Sequence, residues 1–498
     1  MKSKLYITTA IPYVNASPHI GNAMDYLIAD IWARHQRKLG HDVKFQVGTD
    51  EHGNKIAMKA RDAGLETQAY VDQNTTKFKD FIGKMNASYT DFVRTTDIRH
   101  QAAVQYIWKQ LEPYIYKKSY EGWYCQGCEG FATGKEAMAN GGVCPDHKTP
   151  YQHLQEENYF LRISDFSEPI KEAITSGKMK ILPESRANEF LNLLKEGLLD
   201  VSISRPKKTV SWGVPVPDDP TQVMYVWIDA LANYLTILGY PERPEWQSYW
   251  PADVQVVGKD ILRFHAGIWP AMLMMLNLSL PKVLLVHGHV QADGVKMSKT
   301  IGNVIDPMEI IDNYGVDALR YYFSRHIPTQ DDGDFTWERF ENAYNNELGN
   351  DLGNLVSRIA SMLKKYQDGV MNDVKNTHHD ETVYFEAMKN FNFNQAIDEV
   401  WVHIRSVNQY IDTVKPWEIA KRRTAGDPEA GQHLAEVLDY MCKSILQVAD
   451  MLSPFMPTTA EKIQAVFKPG IIGELEAGGL FPKIYRHTAN PRQAQTKQ

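Results

Sequence analysis

At 498 residues, with 43% hydrophobic, 11% aromatic and 23% charged positions, the chain is too long for one core and too apolar for disorder, and at ~150 residues each it suggests about three domains. A formal charge of −7 excludes nucleic-acid binding through bulk charge, so any RNA contact has to come from local patches. No apolar run reaches the ~20 residues that span a bilayer, and the opening MKSKLYITTAIPYVN lacks the features of a secretion signal, so a cytoplasmic protein is expected.

The stretch Tyr6 to Asn22, YITTAIPYVNASPHIGN, reads as a buried strand that breaks into a loop and then opens a helix. The apolar run Leu5 to Ile7 gives the strand and Pro12 and Pro18 break it. The spacing of Met24, Ile28 and Ile31 then gives a helix from about Ala23 to Gly40. A helix start at the carboxyl end of a parallel strand is an anion site in waiting, because its free N–H groups and its dipole both favour negative charge. Pro18, His19, Gly21 and Asn22 stand there, His19 as an added donor, although a Pro-His pair that caps or packs is the plainer reading. A second strand, Asp42 to Gly48, runs into GTDEHG and brings Asp50 and His52 to the same edge. Asp50 reads equally well as the cap of a helix beginning near Gly53. Over residues 1–115 this alternation predicts a parallel, doubly wound α/β sheet.

From about 116 the composition turns to Tyr, Gly, Cys, Asn and His, and we place an insertion at 116–223. Three of the four cysteines lie between 125 and 144, which argues for a metal site rather than a disulfide framework. Cys125-x-x-Cys128 and Cys144-x-x-His147 can each fill two corners of a tetrahedron from one tight turn, with Gly127, Gly141 and Gly142 letting the backbone curl. The expected ion is one structural Zn²⁺ with no open position for substrate.

The α/β pattern resumes over 224–305. YVWIDALANY predicts a strand, Met224 to Ile228, before a helix; VQVVGKDILRFHAGIWPAML predicts a strand, Val254 to Val257, before a helix from Ile261; Val283 to His287 gives another strand. Ile261, His265 and Trp269 share one helix face, a pattern that more often marks core than pocket. KMSKT, Lys296 to Thr300, sits between Gly294 and Gly302, where two lysines can face one polyanion or form a solvated basic turn. Beyond Asp306 the pattern is helical with no convincing strands: a linking module at 306–345 carrying DGDFTWERF, then a helix bundle and tail at 346–498.

PHIGN and KMSKT together resemble the HIGH and KMSKS signatures of class I aminoacyl-tRNA synthetases. TAIPYVNASPHIGN, GTDEHG, YVWIDALANY, GKDILRFHAGIWPAML and DGDFTWERF are similar to methionyl-tRNA synthetases in particular, over essentially the whole chain. The resemblance implies a Rossmann-type sheet interrupted by the zinc-containing insertion and followed by an all-α anticodon-binding bundle. It implies a ligase that activates L-methionine with ATP, Mg²⁺ arriving with the nucleotide, and transfers it to the 3′ end of tRNA(Met). His19, Lys296 and Lys299 would be the catalytic donors, with Pro18, Gly21, Asn22, Ser298 and Thr300 completing the ATP site. Methionine would lie among Ala10, Ile11, Tyr13, Trp227, Ala230, Tyr234, Ile261, His265 and Trp269, with Asp50 on its α-ammonium group. Asn354, Arg358 and Trp417 would meet the anticodon, although Trp417 alone reads as a core anchor.

The sequence departs from the family pattern at Asn22, where HIGH has its second His, at Thr300, where KMSKS has Ser, and at Leu231, where some relatives have Pro. A monomer is expected, since no dimerising appendage follows the bundle. Two other readings are a synthetase for another aliphatic amino acid and a non-catalytic RNA-binding paralogue. The roughly 100 residues of the insertion leave little room for an editing domain, and the retained phosphate donors weigh against a paralogue.

Overall fold

The structure, a computed structural model, describes residues 2–125, 130–145, 148–296, 305–372, 380–476 and 478–484. The chain divides into two compact units, one formed by Met1–Pro18, Gln36–Gly83 and Ala87–His287, the other by His19–His35, Lys84–Asn86 and Gly288–Gln498.

The first unit is built on six parallel strands: β1 (Lys4–Thr9), β2 (Asp42–Thr49), β3 (Asp91–Arg94), β4 (Lys180–Leu182), β5 (Val254–Gly258) and β6 (Val283–His287). Their order is β3-β2-β1-β5-β6-β4, with Ile7 of β1 in register with Phe45 on one side and Val254 on the other. All of VQVVG is buried, which is why this strand reads as an apolar run and not as an alternation. Tyr6, Val257, Leu284 and Val286 carry the sheet into a core that includes Trp108, Trp250 and Trp269, each large side chain there contributing about 1.5–3 kcal/mol. The strand order reverses between β1 and β5, the point at which an open α/β sheet leaves a crevice outside its carboxyl ends.

Helix α1 (Ile20–Lys38) follows β1 in the chain, and α2 (Val226–Thr236) precedes β5. In the second unit α3 (Asn354–Tyr366), α4 (Phe393–Val414) and α5 (Pro416–Thr424) stand with the helices Ala430–Leu452 and Pro457–Val466. In α4 the buried positions Phe393, Ala396, Ile397, Val400, Trp401, Ile404, Val407 and Ile411 form one helical stripe.

Several elements differ from the sequence reading. The expected strand Met224 to Ile228 is absent: Asp219–Met224 pairs antiparallel with Ser204–Pro206 and Pro215–Val216, and the helix starts at Val226. The sixth strand of the parallel sheet comes instead from inside the expected insertion, where Lys180–Leu182 pairs with β6; three residues are too short to show a period. The rest of that region holds a long antiparallel ribbon, Ile115–Cys125 against Gln152–Leu161. After β5 the chain forms a π-helical turn, Phe264–Ile268, before a helix at Trp269–Met275. Pro270 has no N–H to donate, and Trp269 N bonds Phe264 O five residues back. Short strands occur beyond Asp306 as well, at Gly333–Phe335, Val370–Met371 and Gly470–Ile471.

Candidate active site

In the first unit the ends of three strands and one helix converge at the point where strand order reverses. Ala10, Ile11 and Tyr13 follow β1, and Ala10 N donates to Val256 O of β5 at 2.9 Å. Asp50 follows β2 and is bridged to Tyr13: its N donates to Pro12 O at 2.9 Å and its O accepts from Val14 N at 3.1 Å. The reading of Asp50 as a helix cap fails, since the next helix, Asn54–Asp62, has Gly53 as its N-cap at φ 114° with no side-chain cap bond. Ile11 touches the sheet at Gly48, where an added Cβ would lie 3.0 Å from its Cγ2.

Aromatic side chains from α2 and the segment after β5 form the adjoining wall. The Trp227 ring stacks on Phe264 at 3.7 Å and stands 6.1 Å from His265; Tyr234 lies 5.7 Å from His265 and 5.9 Å from Trp269. Ala230, Tyr234, His265 and Trp269 are buried, whereas Ala10, Ile11, Tyr13, Trp227 and Ile261 keep partial exposure. Burial pushes the His265 pKa down to about 4, so the ring is neutral at pH 7. Its Nδ1 lies 3.0 Å from Ile261 O, which can only accept, so Nδ1 carries the proton and Nε2 accepts from the Tyr234 hydroxyl at 2.7 Å. Beneath them Tyr6 donates to Gln46 Oε1 at 2.5 Å, Gln46 to Asn233, and Asn233 to Ala230 O at 2.5 Å, which fixes α2 on the sheet. Such a wall, aromatic and with its one hydroxyl proton already committed, suits a flexible, polarizable, apolar side chain. Phe264 was missed by the sequence reading although it lies in the quoted LRFHAGIW run.

In the second unit His19 stands at the start of α1 and its side chain serves that start. His19 Nδ1 accepts from Gly21 N at 3.1 Å, and His19 N donates to Asn22 Oδ1 at 3.1 Å, so two side chains cap this helix start. These bonds carry the helix three residues further toward the N-terminus than expected. A Cβ at Gly21 would lie 2.9 Å from His19 Cε1, so glycine is needed for the ring to fold back. With Nδ1 accepting, Nε2 is the ring nitrogen that carries the proton.

Lys296 closes the short strand Val295–Lys296; Ser298, Lys299 and Thr300 lie outside the described residues. The stretch DGDF is bound up with the approach to them. Gly333–Phe335 pairs with Val290–Ala292, Asp332 Oδ1 accepts from His289 N at 2.9 Å, and Asp334 Oδ1 accepts from Gly294 N at 2.7 Å.

In the bundle Asn354 is exposed at the start of α3 and Trp417 is half-buried at the start of α5. Arg358 bonds Asn408 Oδ1 at 3.2 Å and Asp412 Oδ1 at 2.6 Å, close in the chain to Trp417. At the C-terminal end of α3 a contact reaches α5, where Arg423 donates to Tyr366 O at 3.0 Å.

Of the metal candidates, Cys128 and His147 lie outside the described residues. Cys125 and Cys144 are both buried, and Thr149 lies between them: its Oγ1 lies 4.0 Å from Cys125 Sγ and its O accepts from Cys144 N at 2.9 Å. Cys144 O accepts from Lys148 N at 2.8 Å, and Gly141, Gly142 and Lys148 all have positive φ, which coils the backbone tightly around Cys144.

A doubly wound sheet with its pocket at the reversal point, a capped His-Gly-Asn helix start and a C-terminal helical bundle is the plan of the class I tRNA synthetases. The family described as "tRNA synthetases class I (M)" matches residues 5–153 and 146–360, and that of the "anticodon-binding domain of tRNA ligase" matches 375–477. The methionine–tRNA ligase of Caldanaerobacter subterraneus subsp. tengcongensis is 44% identical over 93% of this chain and 74% of its own length. That of Thermotoga maritima is 40% identical over 92% and 74%. A structure of Mycobacterium tuberculosis methionyl-tRNA synthetase in complex with methionyl-adenylate superposes with a TM-score of 0.89 at 34% identity, over 97% of this chain and all of that one. The chain belongs to the methionine–tRNA ligase family.

Proposed function

We propose that this chain activates L-methionine with ATP, releasing pyrophosphate, and passes the methionyl group to tRNA(Met) for translation. The observation that carries this reading is the aromatic wall of Trp227, Tyr234, His265 and Trp269 beside Asp50 and Tyr13 at the sheet's reversal point. The thioether lies against the aromatic rings, where sulfur–aromatic contacts give roughly 0.3–1.5 kcal/mol each. Asp50 takes the α-ammonium group, and Ala10, Ile11, Ala230 and Ile261 close the pocket.

Activation is an in-line attack of the methionine carboxylate on the α-phosphorus, so the protein's part is placement and charge stabilisation rather than covalent chemistry. His19 donates from Nε2 to phosphate oxygens, its ring held by Gly21 N, and the Asn22 cap keeps that start in shape. Lys296 and Lys299 act on the triphosphate, and Pro18, Ser298 and Thr300 take part in ATP binding. Mg²⁺ enters with ATP, largely hydrated.

Cys125, Cys128, Cys144 and His147 hold one Zn²⁺. Two buried cysteines, one at a strand end and one in a coiled turn, each bonded to Thr149, fit such a knuckle, and a closed set of four ligands supplies folding energy rather than reactivity. Asn354, Arg358 and Trp417 read the anticodon, and the protein acts as a cytoplasmic monomer. Among the described residues no helix is long and apolar enough to cross a membrane.

The test is ATP–pyrophosphate exchange run with each amino acid in turn. Exchange dependent on methionine is expected. Exchange driven by another amino acid, or none at all, overturns the reading.

A further inference from the structure

Beside the proposed methionine pocket lies a buried charged group to which the mechanism above gives no task. Asp229 is the one ionisable carboxylate in the otherwise apolar turn Trp227 to Ala232 of α2, and it is 1% exposed. His52 Nδ1 lies 2.6 Å from its Oδ2 and His100 Nε2 lies 2.7 Å from its Oδ1, while His100 Nδ1 lies 2.7 Å from Thr236 Oγ1. Both imidazoles are buried as well. Burial by itself raises the carboxyl pKa, but the two histidines more than reverse that and hold it at about 2. Asp229 is therefore an acceptor at both oxygens, and each histidine presents an N–H to it.

An apolar side chain could fill this position without removing a charge from water, so the carboxylate has to be explained by what it holds. It joins three segments: α2, the helix Ile98–Leu111, and the loop after β2 that carries Asp50. That loop is gripped on either side of Asp50. Arg94 donates to both oxygens of Glu51 at 2.8 Å, and Thr49 and Thr75 donate to Glu51 Oε1 at 2.6 and 2.7 Å. Trp212 Nε1 donates to Glu51 O at 2.6 Å, and Gly53 N donates to Trp212 O at 2.9 Å. Those bonds set the loop against β3 and its surroundings. The bond from His52 to Asp229 ties it to the helix that carries Trp227, Ala230 and Tyr234.

We propose that Asp229 is a positioning residue for methionine recognition: through His52 it fixes the separation between the Asp50 carboxylate and the aromatic wall of α2. A single substrate then meets its ammonium partner and its thioether pocket at once. A displacement on the order of 1 Å between two such contacts is enough to lose most of a well-aligned interaction. The inference rests on the assignment of Asp50 to the α-ammonium group.

The full-length protein is titrated with L-methionine and with 4-(methylthio)butanoate, which keeps the thioether and the carboxylate and lacks the ammonium group. Asp229→Asn preserves shape but turns an N–H toward an imidazole N–H. It is expected to weaken L-methionine about tenfold or more while the desamino ligand changes by less than about twofold. Combined with Asp50→Ala it should add little to Asp50→Ala alone, because both act on one contact. Should Asp229→Asn fail to fold, the pair His52→Asn and His52→Ala replaces it: Asn keeps a donor near the Nδ1 position and should retain the preference for L-methionine, and Ala should lose it. Equal weakening of both ligands, or additive losses in the double variant, overturns the inference and leaves Asp229 as a brace of the fold. Failure of the underlying reading looks different, since Asp50→Ala would then leave the preference of the wild-type protein unchanged.

Discussion

Arg320 and Asp30 form an ion pair at 2.7 Å in which both side chains are fully shielded from solvent. Three more guanidinium hydrogens are used: Nε donates to Phe455 O at 2.7 Å, Nη2 to Pro454 O at 2.8 Å and Nη1 to Met85 O at 3.2 Å. One side chain thus ties α1, the turn at Lys84–Asn86 and the link between the last two bundle helices within the second unit. Arg320→Met is expected to cost about 3–5 kcal/mol, because it takes one cationic partner from a buried carboxylate and the shared donor from three carbonyls. The urea midpoint reads this, and replacing Asp30 with Leu in the same chain should recover part of the loss. A midpoint unchanged in Arg320→Met would show that the knot contributes nothing.

Lys296→Ala and Lys299→Ala are each expected to slow methionyl-adenylate formation by about 100-fold, with the dissociation constant of methionine unchanged. Their partners are phosphate charges that develop in the transition state, and such donors act on rate rather than on ground-state affinity. Single-turnover pyrophosphate release beside equilibrium methionine binding separates the two. A weakened methionine complex with normal adenylate formation would contradict the assigned role.

Much of this arrangement was legible in the sequence where a signal was long or chemically costly. VQVVG and VLLVH read as buried strands because no polar side chain interrupts more than one position, and β6 occupies the expected residues Val283–His287. The helical character of the C-terminal region was equally plain, and α3, α4 and α5 lie within it. What escaped was set by tertiary contact. Lys180–Leu182 becomes a strand because β6 offers it an edge, and three residues carry no period of their own. The cap between His19 and Asn22 depends on a ring folding over Gly21, which propensity does not encode. The π turn before Pro270 and the pairing of Asp229 with two histidines distant in sequence were likewise invisible, although a lone carboxylate in VWIDALANYLT was a hint.

The protonation of His265 gives a pH test. Its pKa is pushed down to about 4 by burial, against about 6.5 for an unfolded histidine. Between those values the unfolded chain binds a proton that the folded chain does not, so this group's contribution to stability is complete above pH 6.5 and is lost as pH falls toward 4. Histidine resonances recorded from pH 8 to 5 should show no titration of His265 near 6.5, and methionine affinity should show no step attributable to it. A His265 transition near 6.5 would mean that the ring is open to water and that Tyr234 does not hold its Nε2.

One zinc per chain should co-purify and should leave only with loss of structure around Cys125 and Cys144. Cys144→Ala is expected to lower thermal stability and aminoacylation together, since a closed knuckle supports its surroundings and performs no chemistry. Elemental analysis of a folded, active preparation decides the matter, and a metal-free active protein ends the assignment.

Trp417 offers the sharpest separation of the two units' tasks. It is half-buried at the second position of α5, directly after Pro416 has set the helix start. The Arg358 guanidinium is held by Asn408 and by Asp412, which lies shortly before Pro416 in the chain, and Asn354 is exposed one turn earlier on α3. Single-stranded loops are read by splaying bases onto aromatic planes and bonding their edges with amide and guanidinium donors, which is what these three side chains supply. Stacking on an aromatic ring contributes about 1–3 kcal/mol per base. Trp417→Ala should therefore cut aminoacylation of tRNA(Met) by about tenfold or more at limiting tRNA, while methionine-dependent ATP–pyrophosphate exchange, which needs no tRNA, continues unchanged. The tRNA-independent assay is the control that gives the result its meaning: losses of equal size in both reactions would show that Trp417 supports the fold of the bundle, and anticodon reading would then have to fall to Asn354 and Arg358.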